Sequence, residues 1–183
     1  MFYYFPGNYR WSSAFTLALV ADGQLNQMHR WLAPLRDTGP EPDTTSWTKA
    51  WDCMGEEKSR HAAAERAHDY LRAAGARYFR AATYHLTGER QIPPGPAKTH
   101  SYTAALEALT QGVELMAAPI ERVEVDPPDG ILPGYLIPSG TDGPAPMVIF
   151  YNGSDVTKEI LYGIIGDQFS RRGIAHARTQ VRE

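Results

Sequence analysis

The sequence has little of what three classes of protein require. Its single cysteine, Cys53, has no partner for a disulfide within the chain, which is typical of proteins from a reducing compartment. Its longest apolar run, residues 15–21, is far shorter than the roughly 20 residues that cross a bilayer. With 18 Lys and Arg against 21 Asp and Glu, the net charge of -3 offers no positive excess to attract a phosphate backbone. We therefore expect no disulfide, no membrane span and no nucleic-acid partner.

The N-terminus also lacks the marks of a secretory signal. No basic segment precedes an apolar stretch, and Pro6 and Gly7 interrupt the aromatic residues at positions 2–5. The apolar fraction of 43% and the charged fraction of 21% are sufficient to bury a core and keep the surface polar. A length of 183 residues corresponds to one ordinary domain, or to a small domain and part of a second. We expect a soluble, cytoplasmic protein.

Apolar residues at helical spacing dominate the chain as far as about residue 120. Four stretches with this spacing are separated by turn residues: 12–38, 44–54, 67–88 and 102–116. Gly23 splits the first stretch, and Gly88 ends the third, which we predict to be one long helix. Trp47 and Trp51 are one helical turn apart, which predicts that both belong to the core of a helical domain.

The character of the sequence changes at Pro119. Seven of the fourteen prolines lie between Pro119 and Pro146, and the apolar period drops from 3.6 toward 2, as in strands. Alternation around Val123 and Val125, a Pro-Pro-Asp-Gly turn and the segment 132–137 predict a β-hairpin. We therefore place a boundary between a helical domain, residues 1–118, and a sheet-based domain, residues 119–183.

A third strand and a helix follow the predicted hairpin. Residues 147–151 are continuously apolar between two turns, which is typical of a parallel strand buried on both faces. Thr157 or Asp155 can cap a helix over residues 158–172. This order of elements predicts the opening of an α/β fold. Only about 64 residues follow Pro119, which is too few for a complete α/β sheet, so the domain reads as unfinished.

Six short motifs follow one another in order from the N-terminus to about Ala175. They occupy residues 4–12, 70–73, 80–84, 119–123, 132–135 and 150–159, the last reading Phe-Tyr-Asn-Gly-Ser-Asp-Val-Thr-Lys-Glu. In this order they resemble the α/β-hydrolases with an N-terminal helical cap, a group that includes 2,6-dihydroxypseudooxynicotine hydrolase, fungal polyketide-shortening hydrolases and fermentation-respiration-switch-like esterases. The resemblance implies a helical cap followed by the first strands and first helix of an incomplete α/β-hydrolase sheet.

The sequence departs from this family after Ala175. There the resemblance implies an apolar strand that ends in an Asp-x-Pro-Gly-like turn, whereas residues 176–183 are polar. We interpret this tail as a premature end, such as a frameshift, a misassigned gene end or a truncation. The resemblance also implies that the third strand lies between the fourth and the fifth. Residues 147–151 would then have two unpaired edges, which favours aggregation or a homo-oligomer.

The resemblance further implies which catalytic groups to look for. Hydrolysis on this fold uses a serine in a Gly-x-Ser-x-Gly elbow, followed along the chain by an acid and a histidine. The sequence contains no Gly-x-Ser-x-Gly, and its six histidines all precede the place of the family's histidine. We therefore expect no catalytic residue in this chain. The loop after the third strand matches the family's oxyanion loop, which assigns that role to Asn152, Gly153 and Ser154. The alternative is an ordinary turn with a helix cap, because these residue types are common in both.

Four further side chains are candidates for orienting this loop or contacting a substrate. Asp155 and Glu159 lie at the start of the predicted helix, where the helix dipole by itself also favours carboxylates. Tyr78 and His85 share one face of the third helix and could line a substrate cleft. The alternative for this pair is an amphipathic role with a buried ring and an exposed polar tip.

One group of residues has the spacing of metal ligands. His61, Glu65 and His68 are four and three residues apart and would share a helix face. Charged residues surround them, which favours a solvated helix surface, so we assign no metal site.

Two functions remain open from the sequence. In the first, the chain is the N-terminal portion of a serine hydrolase for esters or for activated carbon-carbon bonds next to a carbonyl. It would be inactive alone, and the complete protein would act on a small molecule without a cofactor. In the second, residues 1–118 are a non-catalytic helical module that binds a partner or a small aromatic molecule through a face rich in Trp and Tyr.

Overall fold

The computed structural model describes residues 2–36, 43–126, 131–153, 156–166 and 168–180. The chain divides into two compact units, Met1–Met116 and Ala117–Glu183. The described residues of the first unit form helices, and those of the second form a four-stranded sheet with one α-helix. None of the described helices combines the length and the hydrophobicity needed to span a membrane.

The first unit contains five described helices. They are α1 (Tyr9–Val20), α2 (Leu25–Arg36), α3 (Thr44–Ala67), α4 (Leu71–Glu89) and α5 (Pro96–Met116). Helix α4 packs against both α3 and α5. The predicted break at Gly23 is confirmed, since α1 ends and α2 begins on either side of it. A Cβ at Gly23 would lie 2.6 Å from the carbonyl oxygen of Ala18, so only glycine fits this tight connection.

The prediction of one long helix over residues 67–88 is wrong at its start and within one residue of the observed end, since α4 runs over Leu71–Glu89. Helix α3 continues to Ala67, and the chain reverses at Asp69, whose φ of 60° is left-handed, before α4 begins at Leu71. Apolar periodicity does not detect this reversal, because the spacing of the apolar residues continues across it. Gly88 lies inside α4, where a Cβ would come within 2.8 Å of the Cβ of Trp51. Gly88 therefore allows α3 and α4 to pack closely and does not end the helix.

Aromatic side chains fill the core of the first unit. Trp47 and Trp51 are fully buried, as the sequence predicted, and their ring centroids are 5.3 Å apart. Trp11 packs on Trp47 with ring centroids 4.4 Å apart. Tyr4 stacks on Phe15, with ring centroids 4.2 Å apart and nearly parallel planes. Burial of such rings is the largest apolar contribution that single side chains make to stability. The N-terminal segment is thus part of this core.

The second unit contains four described strands and helix α6. The strands are β1 (Glu121–Val125), β2 (Leu132–Ile137), β3 (Met147–Asn152) and β4 (Ala175–Gln180), in the sheet order β1-β2-β4-β3. β1 pairs with β2 and β2 with β4 antiparallel, whereas β3 and β4 are parallel. The predicted hairpin is confirmed, because Glu121 lies opposite Leu136 and Val125 opposite Leu132. Its predicted turn, residues 127–130, lies outside the described residues.

The helix predicted over residues 158–172 is shorter than expected. Helix α6 runs over Lys158–Ile165 and ends at Gly166, whose φ of 52° is left-handed. A short 3-10 turn follows at Ser170–Arg172. The predicted cap is Thr157, whose hydroxyl accepts a hydrogen bond from the backbone N–H of Ile160 at 3.4 Å. The alternative cap, Asp155, lies outside the described residues.

The polar residues 176–180 belong to strand β4, so the expectation that β3 has two unpaired edges is wrong. β4 lies between β2 and β3, with Ala175 beside Met147 and Gln180 beside Asn152. Strands pair through backbone C=O and N–H groups, and every residue except proline carries both. The polar side chains of this segment therefore do not prevent it from forming a strand. His176 and Arg178 of β4 are both buried.

Burial on both faces, as predicted for residues 147–151, is also not observed. Alternate side chains of β3 are exposed, Met147 by 53%, Ile149 by 50% and Tyr151 by 68%. The side chain between the last two, Phe150, contacts Phe169 with ring centroids 5.5 Å apart. A continuous apolar run does not show how many faces are covered, because that depends on elements distant in the sequence.

Candidate functional site

The segment after β3 connects a strand to a helix through a short turn. The carbonyl oxygen of Gly153 accepts a hydrogen bond from the backbone N–H of Val156 at 3.3 Å, and Thr157 then caps α6. Gly153 is exposed, and a Cβ placed on it would meet no heavy atom of the described residues within 4 Å. Space for a ligand atom therefore exists beside the backbone at Gly153.

The electrostatics of this turn favour a negatively charged group. Backbone N–H groups at the first turn of a helix lack intrahelical partners and carry the positive end of the helix dipole. The loop predicted from the sequence to be an oxyanion loop leads directly into the first turn of α6. Of that loop, the structure describes Gly153 and the backbone of Asn152. Ser154 and Asp155 lie outside the described residues.

Glu159 belongs to a buried cluster at the start of α6. Its Oε1 lies 2.7 Å from the Nζ of Lys158, and both residues are more than nine-tenths buried. The hydroxyl of Tyr135 on β2 donates a hydrogen bond to the same Oε1 at 3.5 Å. The Nζ of Lys158 lies 5.5 Å from the centroid of the Tyr135 ring, within the range of a cation-π contact. Glu159 therefore joins α6 to the middle of the sheet.

The ionisation of Tyr135 is strongly affected by this environment. Burial raises the pKa of the Tyr135 hydroxyl to about 12, and the negative charge of Glu159 acts in the same direction. Tyr135 is thus a hydrogen-bond donor at all physiological pH values. The cluster holds the first turn of α6 against β2, which makes Glu159 a positioning residue in this geometry.

His85 is part of a second buried cluster, within the first unit. Its Nδ1 lies 2.8 Å from Oδ1 of Asp52 on α3, and the hydroxyl of Ser101 on α5 donates to Oδ2 of the same carboxylate at 2.8 Å. The ring packs directly on Gly55, since a Cβ there would lie 2.4 Å from Nε2 of His85. These are contacts of a residue that joins three helices. Tyr78, the other candidate on α4, is half-buried and is not in this cluster.

Of the residues with metal-ligand spacing, Glu65 forms a hydrogen bond with another side chain in the structure. Glu65 accepts a hydrogen bond from Nε of Arg77 at 2.6 Å, and His68 follows the last residue of α3. In the part of the chain that the structure describes, no group of three or more His, Cys, Asp or Glu side chains is placed to hold a metal ion.

Sequence reasoning missed the partners of both clusters. Asp52 is 33 residues from His85 and lies on another helix, and Ser101 lies on a third helix. Tyr135 is 24 residues from Glu159. No local pattern links residues at such separations. Lys158 was also missed as a partner, although it directly precedes Glu159 in the motif that carries the family resemblance.

Comparisons with known proteins identify α/β-hydrolases by sequence and by structure. No protein-family model matches the chain. An α/β-hydrolase from Xenoacremonium sinensis, xenA, is 30% identical over 139 residues, which are 73% of this chain and 33% of that protein. The solved structure of 2,6-dihydroxy-pseudo-oxynicotine hydrolase matches with a TM-score of 0.69 at 20% identity, over 91% of this chain and 46% of that one. AbyA5 wild type matches with a TM-score of 0.60 at 21% identity, over 86% and 40%.

The extent of these matches is as informative as their identity. The chain spans between a third and less than half of the length of the relatives it matches. The matches to the solved structures show a shared fold over 91% and 86% of this chain. The match to xenA adds a sequence relationship over most of this chain. Taken together with the motifs along residues 4–159, these matches show that the chain corresponds to part of an α/β-hydrolase.

Proposed function

We propose that the chain supplies the helical cap and the opening of the sheet, including one half of the oxyanion hole, to a serine hydrolase. Residues 1–118 are the cap in this proposal, and residues 119–183 begin the catalytic domain. The reaction is hydrolysis of an ester, or of an activated carbon-carbon bond next to a carbonyl, in a small molecule. The observation that carries the proposal is the strand-turn-helix at β3 and α6, with open space beside Gly153.

The chemistry of the turn supports this role. In acyl transfer, a carbonyl oxygen gains negative charge as the tetrahedral intermediate forms, and backbone N–H groups that point at it stabilise that charge. A preformed donor is most effective when it need not move during the reaction. The cluster of Tyr135, Lys158 and Glu159 fixes the first turn of α6, and with it the end of the turn. On this view Glu159 positions the loop and does not react.

The nucleophile, the acid and the base are not supplied by these 183 residues in the proposal. On this fold the serine lies in a Gly-x-Ser-x-Gly elbow, which the sequence does not contain. The second oxyanion N–H comes from the residue after that serine, so it too would lie outside this chain. The 183-residue chain should accordingly show no esterase activity by itself.

The experiment that tests the proposal compares this chain with the native gene product purified from its source. The intact mass and the hydrolysis of a p-nitrophenyl ester are measured on both. We expect the 20.3 kDa chain to be inactive and the active species to have a larger mass. Turnover of the ester by a homogeneous 20.3 kDa chain would contradict the proposal, because no nucleophile elbow is present in it.

A pair of substitutions in the active, longer species then tests the oxyanion loop. Gly153→Pro removes the backbone N–H, whereas Gly153→Ala keeps it and adds a Cβ that lies more than 4 Å from the other residues that the structure describes. Loss of one oxyanion donor lowers kcat by about 100- to 1000-fold. We expect this loss for Gly153→Pro alone. Equal activity of the two variants would show that the backbone N–H of Gly153 is not an oxyanion donor.

A further inference from the structure

The first unit contains a buried lysine that forms no ion pair with a carboxylate of the described residues. Lys58 of α3 is only 6% exposed, and its Nζ donates a hydrogen bond to Oε1 of Gln24 at 3.3 Å. Burial lowers the pKa of this ammonium group, and repulsion by Arg77 and by Arg80 lowers it further. Burial of a charge is costly without an opposite charge beside it, so an added negative charge at Nζ would be stabilised.

The arginines that act on Lys58 already have carboxylate partners. The pairs, with N–O distances of 2.6–2.7 Å, are Arg30 with Glu57, Arg77 with Glu65 and Arg80 with Asp22. Of these carboxylates, Glu57 attracts the ammonium group of Lys58, but less strongly than Arg77 or Arg80 repels it. These four cations and three carboxylates leave one positive charge in excess, although the whole chain has a net charge of -3.

Three groups that favour an anion lie around Gln24. Its carbonyl oxygen accepts a hydrogen bond from the N–H of Met28 at 2.9 Å, so Gln24 stands at the start of α2, at the positive end of the helix dipole. Its side-chain oxygen contacts the ammonium group of Lys58. Arg80 binds Asp22, two residues earlier, through Nε and Nη2. Because Gln24 is exposed, its amide can rotate away from Nζ at the cost of one hydrogen bond.

We propose that Lys58, Arg80 and the start of α2 bind the phosphate group of a small molecule, which replaces the Gln24 amide at Nζ of Lys58. Lysine binds phosphate as a compact point charge, and arginine adds directional N–H donors. A phosphate monoester carries a charge of about -1.5 to -2 at pH 7, and its oxygens accept hydrogen bonds from several directions. A phosphate therefore neutralises the positive excess better than a carboxylate does, and it suits the N-terminus of a helix.

This site differs from the face rich in Trp and Tyr that the sequence suggested for a helical binding module. Trp11, Trp47 and Trp51 are 4% exposed or less, so they form the core and offer no surface to a ligand. Lys58 and Arg80 recognise charge instead. Both belong to the first unit, as does Gln24, so the proposal does not depend on the hydrolase function.

The test titrates the full chain with inorganic phosphate and, at the same ionic strength, with sodium chloride and sodium acetate. Binding is followed by chemical shift changes in backbone amide NMR spectra. We expect a dissociation constant on the order of 1 mM for phosphate, with the largest shifts around Gln24, Lys58 and Arg80. Acetate should bind at least about tenfold more weakly, because it carries less charge and fewer acceptor oxygens. Identical shifts with phosphate and chloride would overturn the proposal, and so would equal affinity for phosphate and acetate.

Two matched variants distinguish the site from a general effect of charge. Gln24→Glu and Asn26→Asp each add one carboxylate at an exposed position at the start of α2. In Gln24→Glu the carboxylate takes the place of the amide oxygen, which lies 3.3 Å from Nζ of Lys58, so the chain supplies its own anion. We expect the affinity for phosphate to fall at least about tenfold in Gln24→Glu and by about twofold or less in Asn26→Asp. With both variants shown to be folded by circular dichroism, equal affinities would refute the assignment.

Discussion

Substituting Gly55 by alanine should destabilise the first unit, although alanine is the better helix former. Gly55 lies in α3, directly against the imidazole of His85 on α4. An added Cβ would lie 2.4 Å from Nε2 and 2.5 Å from Cδ2 of that ring. The ring cannot rotate away without loss of its 2.8 Å contact with Asp52. The new methyl group therefore displaces either the helix or a buried hydrogen bond.

The size of the effect follows from three contributions. Gly→Ala inside a helix stabilises it by about 1 kcal/mol. Overpacking of a dense core costs about 1–3 kcal/mol. Loss of the partner of a buried polar group adds about 1–3 kcal/mol when the bond breaks. We therefore expect Gly55→Ala to lower the free energy of unfolding by about 0–2 kcal/mol if the helix shifts and the hydrogen bond survives, and by about 1–5 kcal/mol if the bond breaks.

Urea unfolding followed by tryptophan fluorescence measures this change, since all four tryptophans lie in the first unit. Ala63→Gly, at an exposed position of the same helix, calibrates the helix-propensity contribution. In a His85→Ala background the ring is absent, so Gly55→Ala should become neutral or stabilising. The reasoning is refuted if Gly55→Ala in the otherwise unchanged chain stabilises it by about 1 kcal/mol, as propensity alone would predict.

Two further predictions concern buried charges in the second unit. Burial, and secondarily Arg178, lowers the pKa of His176 to about 4, so the folded state holds this ring neutral while the unfolded state titrates near 6.5. Unfolded chains then bind the extra proton, and the second unit should lose about 1–3 kcal/mol as the pH falls from about 6.5 to 4. Amide exchange of β4 measures this loss, and a His176 C2-proton resonance that titrates near pH 6.5 would contradict it. Lys158→Met should cost about 3 kcal/mol because the buried Glu159 loses its ion pair with Lys158, whereas Lys158→Met with Glu159→Leu should cost much less. Equal losses for the single and the double variant, in the same exchange experiment, would show that the ion pair is not the cause.

Features set by neighbouring residues could be predicted from the sequence. The break at Gly23, the hairpin of β1 and β2, and the cap at Thr157 each depend on fewer than about 20 consecutive residues. Glycine, proline and threonine have local conformational preferences that tertiary contacts did not override at these positions. Strand β3 was recognised for the same reason, because its apolar run is bounded by turns.

Features set by distant residues could not be predicted in this way. At the reversal, Asp69 adopts a left-handed conformation, so no glycine marks the turn in the sequence. The reversal also does not interrupt the apolar spacing. The pairing of His85 with Asp52 joins two helices, and the pairing of Tyr135 with Glu159 joins a strand to a helix. Each pair is visible only when the packing of these elements is known. The role of the loop after β3 could be named from a family resemblance, but the cluster that positions it could not.

The polar strand β4 connects the loop after β3 to the rest of the sheet. Among the described strands, β3 pairs with β4 and with no other, so the start of the candidate oxyanion loop is held in the sheet through β4. Arg178 of β4 donates a hydrogen bond to Nε2 of His176 at 2.6 Å, yet its own Nε and Nη1 have no hydrogen-bond partner among the described residues. Buried donors of this kind are costly, so β4 forms a less favourable interior than an apolar strand would. The geometry of the loop therefore depends on a strand whose buried side chains are polar. Acid that protonates His176 should disorder the loop together with β4.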